Sequence, residues 1–256
     1  MMNAFSGCSL FWDDRFIRET GGRRCPFRTG AFADKEEENM VTKRQELFNC
    51  YSHLAGGIAA LAGTFFLLPV AASSREALIT ALIYGLSVTF LFFASALYHA
   101  FKQEENEISF WRKMDRMAIF FMIAGTYTPI SYFCLEGGWR WGMIGLQWGF
   151  VAFGFLSQVF FPRAPRTFYA GVYLAMGWTA VFPMNQVLGN MTALQVSLLF
   201  AGGVAFTLGG LIYAIKKPRM VPGVFSFHEL FHVMVLIGGA FHYGMIYHIY
   251  FQAGTA

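Results

Sequence analysis

The stretch Phe225–Tyr250, FSFHELFHVMVLIGGAFHYGMIYHIY, decides how the rest of the chain is read. It turns almost wholly apolar after its first turns and exceeds the roughly 20 residues that a membrane-spanning helix needs. His228 and His232 stand four apart, so a helix stacks them on one face in its first two turns. Polar groups at that depth are costly, and a shared metal ion is the partner that best explains two imidazoles there. His228-Glu229-Leu230-Phe231-His232 also fits H-E-x-x-H, which in soluble zinc proteases adds a general-base Glu. No Asp or Glu follows Glu229, so a third ligand must come from another segment. Glu229 itself reads better as a polar residue at a helix end than as a base.

Working outward, the chain is 56% hydrophobic and 13% charged, where an ordinary soluble domain is about 25% charged. That composition marks a polytopic membrane protein, and the net charge of +4 is no sign of a nucleic-acid partner. Cys8, Cys25, Cys50 and Cys134 form no C-x-x-C pair, so neither a thiolate zinc site nor a redox motif is indicated. Seven apolar segments follow one another: about Asn49–Ala71, Ala77–Ala100, Met117–Phe133, Trp139–Phe160, Thr167–Phe182, Met191–Ile215 and Phe225–Tyr250. The expected fold is therefore an all-α seven-transmembrane helix bundle over residues 41–256, with short connections that make neighbours antiparallel. Gly56-Gly57, Gly202-Gly203, Gly209-Gly210 and Gly238-Gly239 allow close helix contact, and Pro129 is expected to kink the third helix. Residues 1–40 are polar, lack the apolar run of a signal peptide, and read as a disordered cytoplasmic tail. A start at Met40, leaving residues 1–39 untranslated, is the alternative. Nothing in the sequence fixes an oligomeric state.

Positive charge orients the bundle. Seventeen of the 19 Lys and Arg residues fall in the N-terminal tail and the second, fourth and sixth loops, and only Arg75 and Arg140 lie opposite. By the positive-inside rule the N-terminus is cytoplasmic, and seven spans put the C-terminus outside.

This topology collects scattered polar residues at one level. His99 closes the second helix, Asp115 opens the third, and His228 and His232 open the seventh, all on the cytoplasmic side. Ser95 lies one turn deeper than His99 on the same face. Three histidines plus water make an open zinc arrangement that activates the water near neutral pH. Asp115 would hold that water or orient a ligand. Histidine and carboxylate donors also suit iron or copper. Glu46, Asn49 and His53, spaced at three and four, share a face at the start of the first helix. They line the site, meet lipid headgroups, or cap the helix. His242 and His248 sit at least ten residues beyond His232, about 15 Å along a helix, and read as structural.

At these residues the chain resembles the haemolysin III family, the bacterial branch of the progestin and adipoQ receptor superfamily. Glu46-x2-Asn49-x3-His53, Ser95-x3-His99 followed by Asp115, and His228-x3-His232 are similar to the family's three motifs in order and spacing. The resemblance covers about Glu46 to Phe251 and leaves the segment before Met40 without a counterpart. It implies a zinc ion (Zn2+) held by His99, His228 and His232, with Asp115 acting through the zinc-bound water and Ser95 nearby. Alkaline ceramidases share this arrangement, so the resemblance also implies a hydrolase acting on a lipid amide or ester such as ceramide. Two further readings come with it. One is a receptor or regulator of membrane-lipid homeostasis in which zinc is structural. The other is a pore-forming cytolysin, disfavoured because the helices carry no charged stripe suited to a water-filled channel and the chain no secretion signal. The expected partner is a membrane lipid.

Overall fold

The structure, a computed structural model, describes residues 30–103, 107–218 and 225–255, with side chains from Lys43 onward. Among these residues it is all-α. Helix α1 is Gly30–Val70, α2 Arg75–Phe101, α3 Phe110–Cys134 and α4 Gly137–Phe160. Helix α5 is Arg166–Trp178, α6 Met184–Asn190, α7 Ala193–Ile215 and α8 Phe227–Thr255. Short 3₁₀ turns, Ala71–Ser73 and Thr179–Val181, join α1 to α2 and follow α5. Among the described residues six helices (α1 to α4, α7 and α8) are long and apolar enough to cross a membrane. Phe65, Phe66, Phe155 and Phe160 point outward, as on a surface that lipid rather than water covers. The protein is a multi-pass membrane protein.

Six of the seven expected segments recur as single helices, with ends that move for identifiable reasons. Helix α1 begins at Gly30 rather than near Asn49, because the preceding residues include good helix formers such as Lys35, Glu36, Glu37, Glu38 and Met40. Hydropathy registers only where a helix becomes apolar. Residues 30–40, read as irregular, therefore have helical backbone, while residues 1–29 of that expected tail lie outside the described residues. Helix α3 begins at Phe110 rather than Met117, where Ser109 caps it by accepting from the Arg112 amide at 3.2 Å. Its charged first turns hid that start from the apolar pattern. Pro129 lies inside α3 without ending it. Thr126 and Thr128 turn their hydroxyls back onto the Met122 and Ala124 carbonyls, each at 2.8 Å.

The fifth segment differs most. Thr167–Phe182 is not one helix but α5, a 3₁₀ turn and, beyond Pro183, the short α6. Proline cannot donate to the helix ladder, so the backbone must find other partners, and within a bilayer water cannot supply them. Side chains of α3 and α4 do. The Tyr127 hydroxyl donates to the Gly177 carbonyl at 2.5 Å and accepts from the Ala180 amide at 2.9 Å. Gln147 donates to the Met176 carbonyl at 3.1 Å and to the Thr179 hydroxyl at 2.6 Å.

Close approach elsewhere uses glycine. A Cβ on Gly56 would stand 2.6 Å from Leu236 and 2.9 Å from Phe92, so α1 meets α8 and α2 only because none is present. One core, including Leu67, Tyr84, Met122, Met245 and Tyr250, joins α1, α2, α3 and α8. The polar ends of these same four helices make the site.

Candidate metal centre

Helix α2 carries His99 in its last turn, and α8 carries His228 and His232 in its first two. The start of α8 is fixed locally. Ser226-x-x-Glu229 forms a capping pair in which Glu229 Oε2 accepts from the Ser226 amide at 2.7 Å and from its hydroxyl at 2.5 Å. Glu229 Oε1 accepts from Asn49 Nδ2 at 3.2 Å, which ties α8 to α1. Both oxygens of this buried carboxylate are thus committed to structure.

The three histidines converge. One ligand atom from each of His99, His228 and His232 can be chosen so that all lie within 4.8 Å of one another. His99 Nε2 and His228 Nε2 are 3.4 Å apart, and the ring of His232 lies 4.8 Å from each of the other two rings. Two nitrogens bound at ~2.0–2.1 Å to a tetrahedral ion stand about 3.4 Å apart, so this pair fits a shared metal ion. The other face of His99 says the same. Glu46 Oε2 lies 2.6 Å from His99 Nδ1, and Glu46 Oε1 accepts from Lys102 Nζ at 2.5 Å. A carboxylate on Nδ1 keeps the proton there and leaves Nε2 with a lone pair aimed at His228, the arrangement that metal-binding histidines use. His232 Nδ1 is buried without a hydrogen-bond partner among the described residues. The donor set therefore fits a metal ion.

The remaining expected residues lie around this group. His53 packs against His232 with ring centres 3.8 Å apart, and Asn49 is buried beside it on α1. Ser95 and Asp115 lie next to each other and line the same cavity as the histidines, although Asp115 is not part of the three-histidine group. The cavity measures about 1010 Å³. Its walls run from these polar groups past Leu91, Met122, Ile123 and Ile130 to Phe200 and Val204, whose side chains are exposed on the lipid-facing surface. His242 reaches the cavity wall but bonds the Leu199 carbonyl at 3.3 Å, and His248 lies 3.3 Å from Gln195. Cys50 and Cys134 are both free thiols.

Two partners were not anticipated from the sequence. Lys102 is three residues after His99, in the extended C-cap just past the end of α2, and its nearness in sequence would have pointed to it. Tyr213, with its ring centre 5.7 Å from that of His228, comes from α7, and no sequence spacing announces it.

Comparison with known proteins agrees with this architecture. A family model described as "Haemolysin-III related" matches residues 41–243, a range that includes His99, His228 and His232. The hemolysin-3 homolog of Bacillus subtilis (strain 168) is 28% identical over 203 residues, 78% of this chain and 92% of that protein. Hemolysin-3 of Bacillus cereus is 29% identical over 199 residues, covering 77% and 88%. Monocyte to macrophage differentiation factor of Homo sapiens is 26% identical over 211 residues, covering 81% and 85%. With a match across nearly the whole membrane domain, the chain belongs to the haemolysin-III-related family.

Proposed function

We propose that this protein is a zinc-dependent hydrolase that cleaves an ester or amide bond of a membrane lipid. The observation that carries this reading is the meeting of three imidazoles, within 4.8 Å of one another, at the polar end of a cavity of about 1010 Å³ with apolar walls. Ligand pockets commonly measure about 300–1,000 Å³, so there is room for a headgroup and part of an acyl chain. His99, His228 and His232 would hold the zinc ion, which would supply Lewis acidity toward a carbonyl oxygen.

The chain's own residues do the rest. Glu46 holds His99 in one tautomer and orientation through the contact at Nδ1. Asp115 takes up a proton at its carboxylate, and the neighbouring Ser95 hydroxyl keeps that carboxylate oriented. Leu91, Met122, Ile123 and Ile130 hold the acyl chain and exclude water. Because most Lys and Arg flank this end of the bundle, the site lies near the cytoplasmic face in this reading.

The test is fatty-acid release by purified protein in vesicles containing ester- and amide-linked lipids. Wild type releases fatty acid. His99→Ala loses both metal and turnover. Asp115→Asn keeps its metal and loses about 10²–10⁴-fold in rate, the usual worth of a general base. Turnover that survives metal removal overturns the reading. So does the absence of turnover with every lipid, if chelation lowers thermal stability: the ion would then be a clamp between helices.

A further inference from the structure

We infer that the lipid taken by this cavity carries an anionic phosphate headgroup, gripped by Arg112, Arg116 and Arg166. The inference rests on the lipid-site reading above for the cavity, but not on turnover.

These arginines line the cavity that contains the histidines, and each is half-buried. Charge that only orients a bundle has no need to face inward. Arg116 Cζ lies 4.6 Å from the ring centre of Tyr169, a side chain that is 2% exposed. Arg166 Cζ lies 5.5 Å from the ring of Tyr213 and 5.6 Å from that of Phe227. A guanidinium laid on an aromatic face is held in place while the N–H fork at its edge stays available for a bidentate acceptor. Arg112 uses one N–H on the Glu107 carbonyl at 2.8 Å.

The charges are not cancelled from within. Among the described residues, the ion pairs within 4.0 Å are those of Glu46 with His99 and with Lys102. Asp115 lines the same cavity and offsets one of the three arginines, which leaves an excess of positive charge. Exposed Arg163 and Lys216 add to it at the rim. A neutral headgroup seated here would strip water from these cations without replacing it, which is costly. A phosphate would receive two or more charge-assisted hydrogen bonds.

Placement favours a lipid over a free anion. The Tyr213 ring that Arg166 covers lies 5.7 Å from the ring of His228, so this guanidinium stands within about 11 Å of the histidine cluster. That spacing suits a headgroup bound by arginine with its first acyl linkage near the histidines. The apolar walls then lead to the lipid-facing Phe200 and Val204.

The test is binding of ether-linked phosphatidylglycerol and of the matching dialkylglycerol, which has the same chains and no phosphate, to the as-purified full-length protein in mixed micelles. Neither lipid has an acyl ester to cleave, so binding is read without turnover. Wild type should prefer the anionic lipid by about tenfold or more, the worth of one charged hydrogen bond. Arg116→Gln/Arg166→Gln should reduce the preference to less than about twofold. Arg140→Gln, in the first turn of α4 at the opposite end of the bundle, should leave it intact, and so should His228→Ala/His232→Ala, which removes turnover if the hydrolase reading holds. Arg116→Lys/Arg166→Lys keeps the charge without the fork and should fall between. If the double variant does not fold, Arg166→Gln alone should lower the preference. Equal affinity for the two lipids, or a preference that survives in the glutamine variants, overturns the inference. Inorganic phosphate binding as tightly as the anionic lipid overturns it too, since the site would then serve a free anion.

Discussion

Replacing Glu46 with glutamine should weaken metal binding while leaving the bundle folded. The carboxylate makes two short contacts, 2.6 Å to His99 Nδ1 and 2.5 Å to Lys102 Nζ. Loss of the outer partner of a metal-bound histidine lowers metal affinity about 10–100-fold, or about 1.4–2.7 kcal/mol. Glutamine keeps an oxygen that can accept from Nδ1–H, so the tautomer survives and the loss should lie near tenfold. Alanine removes the acceptor and should approach a hundredfold. In both variants Lys102 loses its counter-charge, and an unpaired cation near the site acts in the same direction. The assay is chelator competition on detergent-purified protein, with helical content followed by circular dichroism. Unchanged affinity in a folded Glu46→Ala variant would refute the reasoning, because His99 would then need no carboxylate to present Nε2.

Three further outcomes follow from the packing. Tyr127→Phe removes the group that bonds Gly177 and Ala180 at the helix break, and it should cost about 1–3 kcal/mol in thermal unfolding, with faster hydrogen exchange around residues 177–181. Gly56→Val places a side chain where Leu236 would stand 2.6 Å away and should cost about 1–3 kcal/mol, whereas Gly203→Ala meets nothing within 4 Å and should be tolerated. Glu229→Gln should lower stability by about 1–3 kcal/mol while fatty-acid release stays within about threefold of wild type. Abolished release with metal still bound would instead make Glu229 a base.

The bundle was legible because membrane spans announce themselves by length and apolarity, and α2, α4, α7 and α8 appear close to where those signals put them. The start of α3 was not, since Arg112, Lys113, Asp115 and Arg116 sit in its first turns and mask a helix that Ser109 caps. The break in the fifth segment depends on Tyr127 and Gln147, both distant in sequence, although Pro183 was a local warning. At the site, spacing put His99, His228 and His232 at one depth, and the structure brings them together. What spacing could not give was which neighbours face inward. Glu46 turns out to bond His99, and Glu229 is spent on Ser226 and Asn49, a capping pair written in Ser226-x-x-Glu229. Tyr213 and the cavity-lining Arg112, Arg116 and Arg166 meet the site only through the packing of α3, α5 and α7.

The most direct measurement is the metal content of detergent-purified protein, wild type beside His228→Ala/His232→Ala. The account predicts about one zinc per chain in the wild type and none in a folded double variant. A well-folded wild type without metal, or a double variant that keeps its zinc, would contradict it.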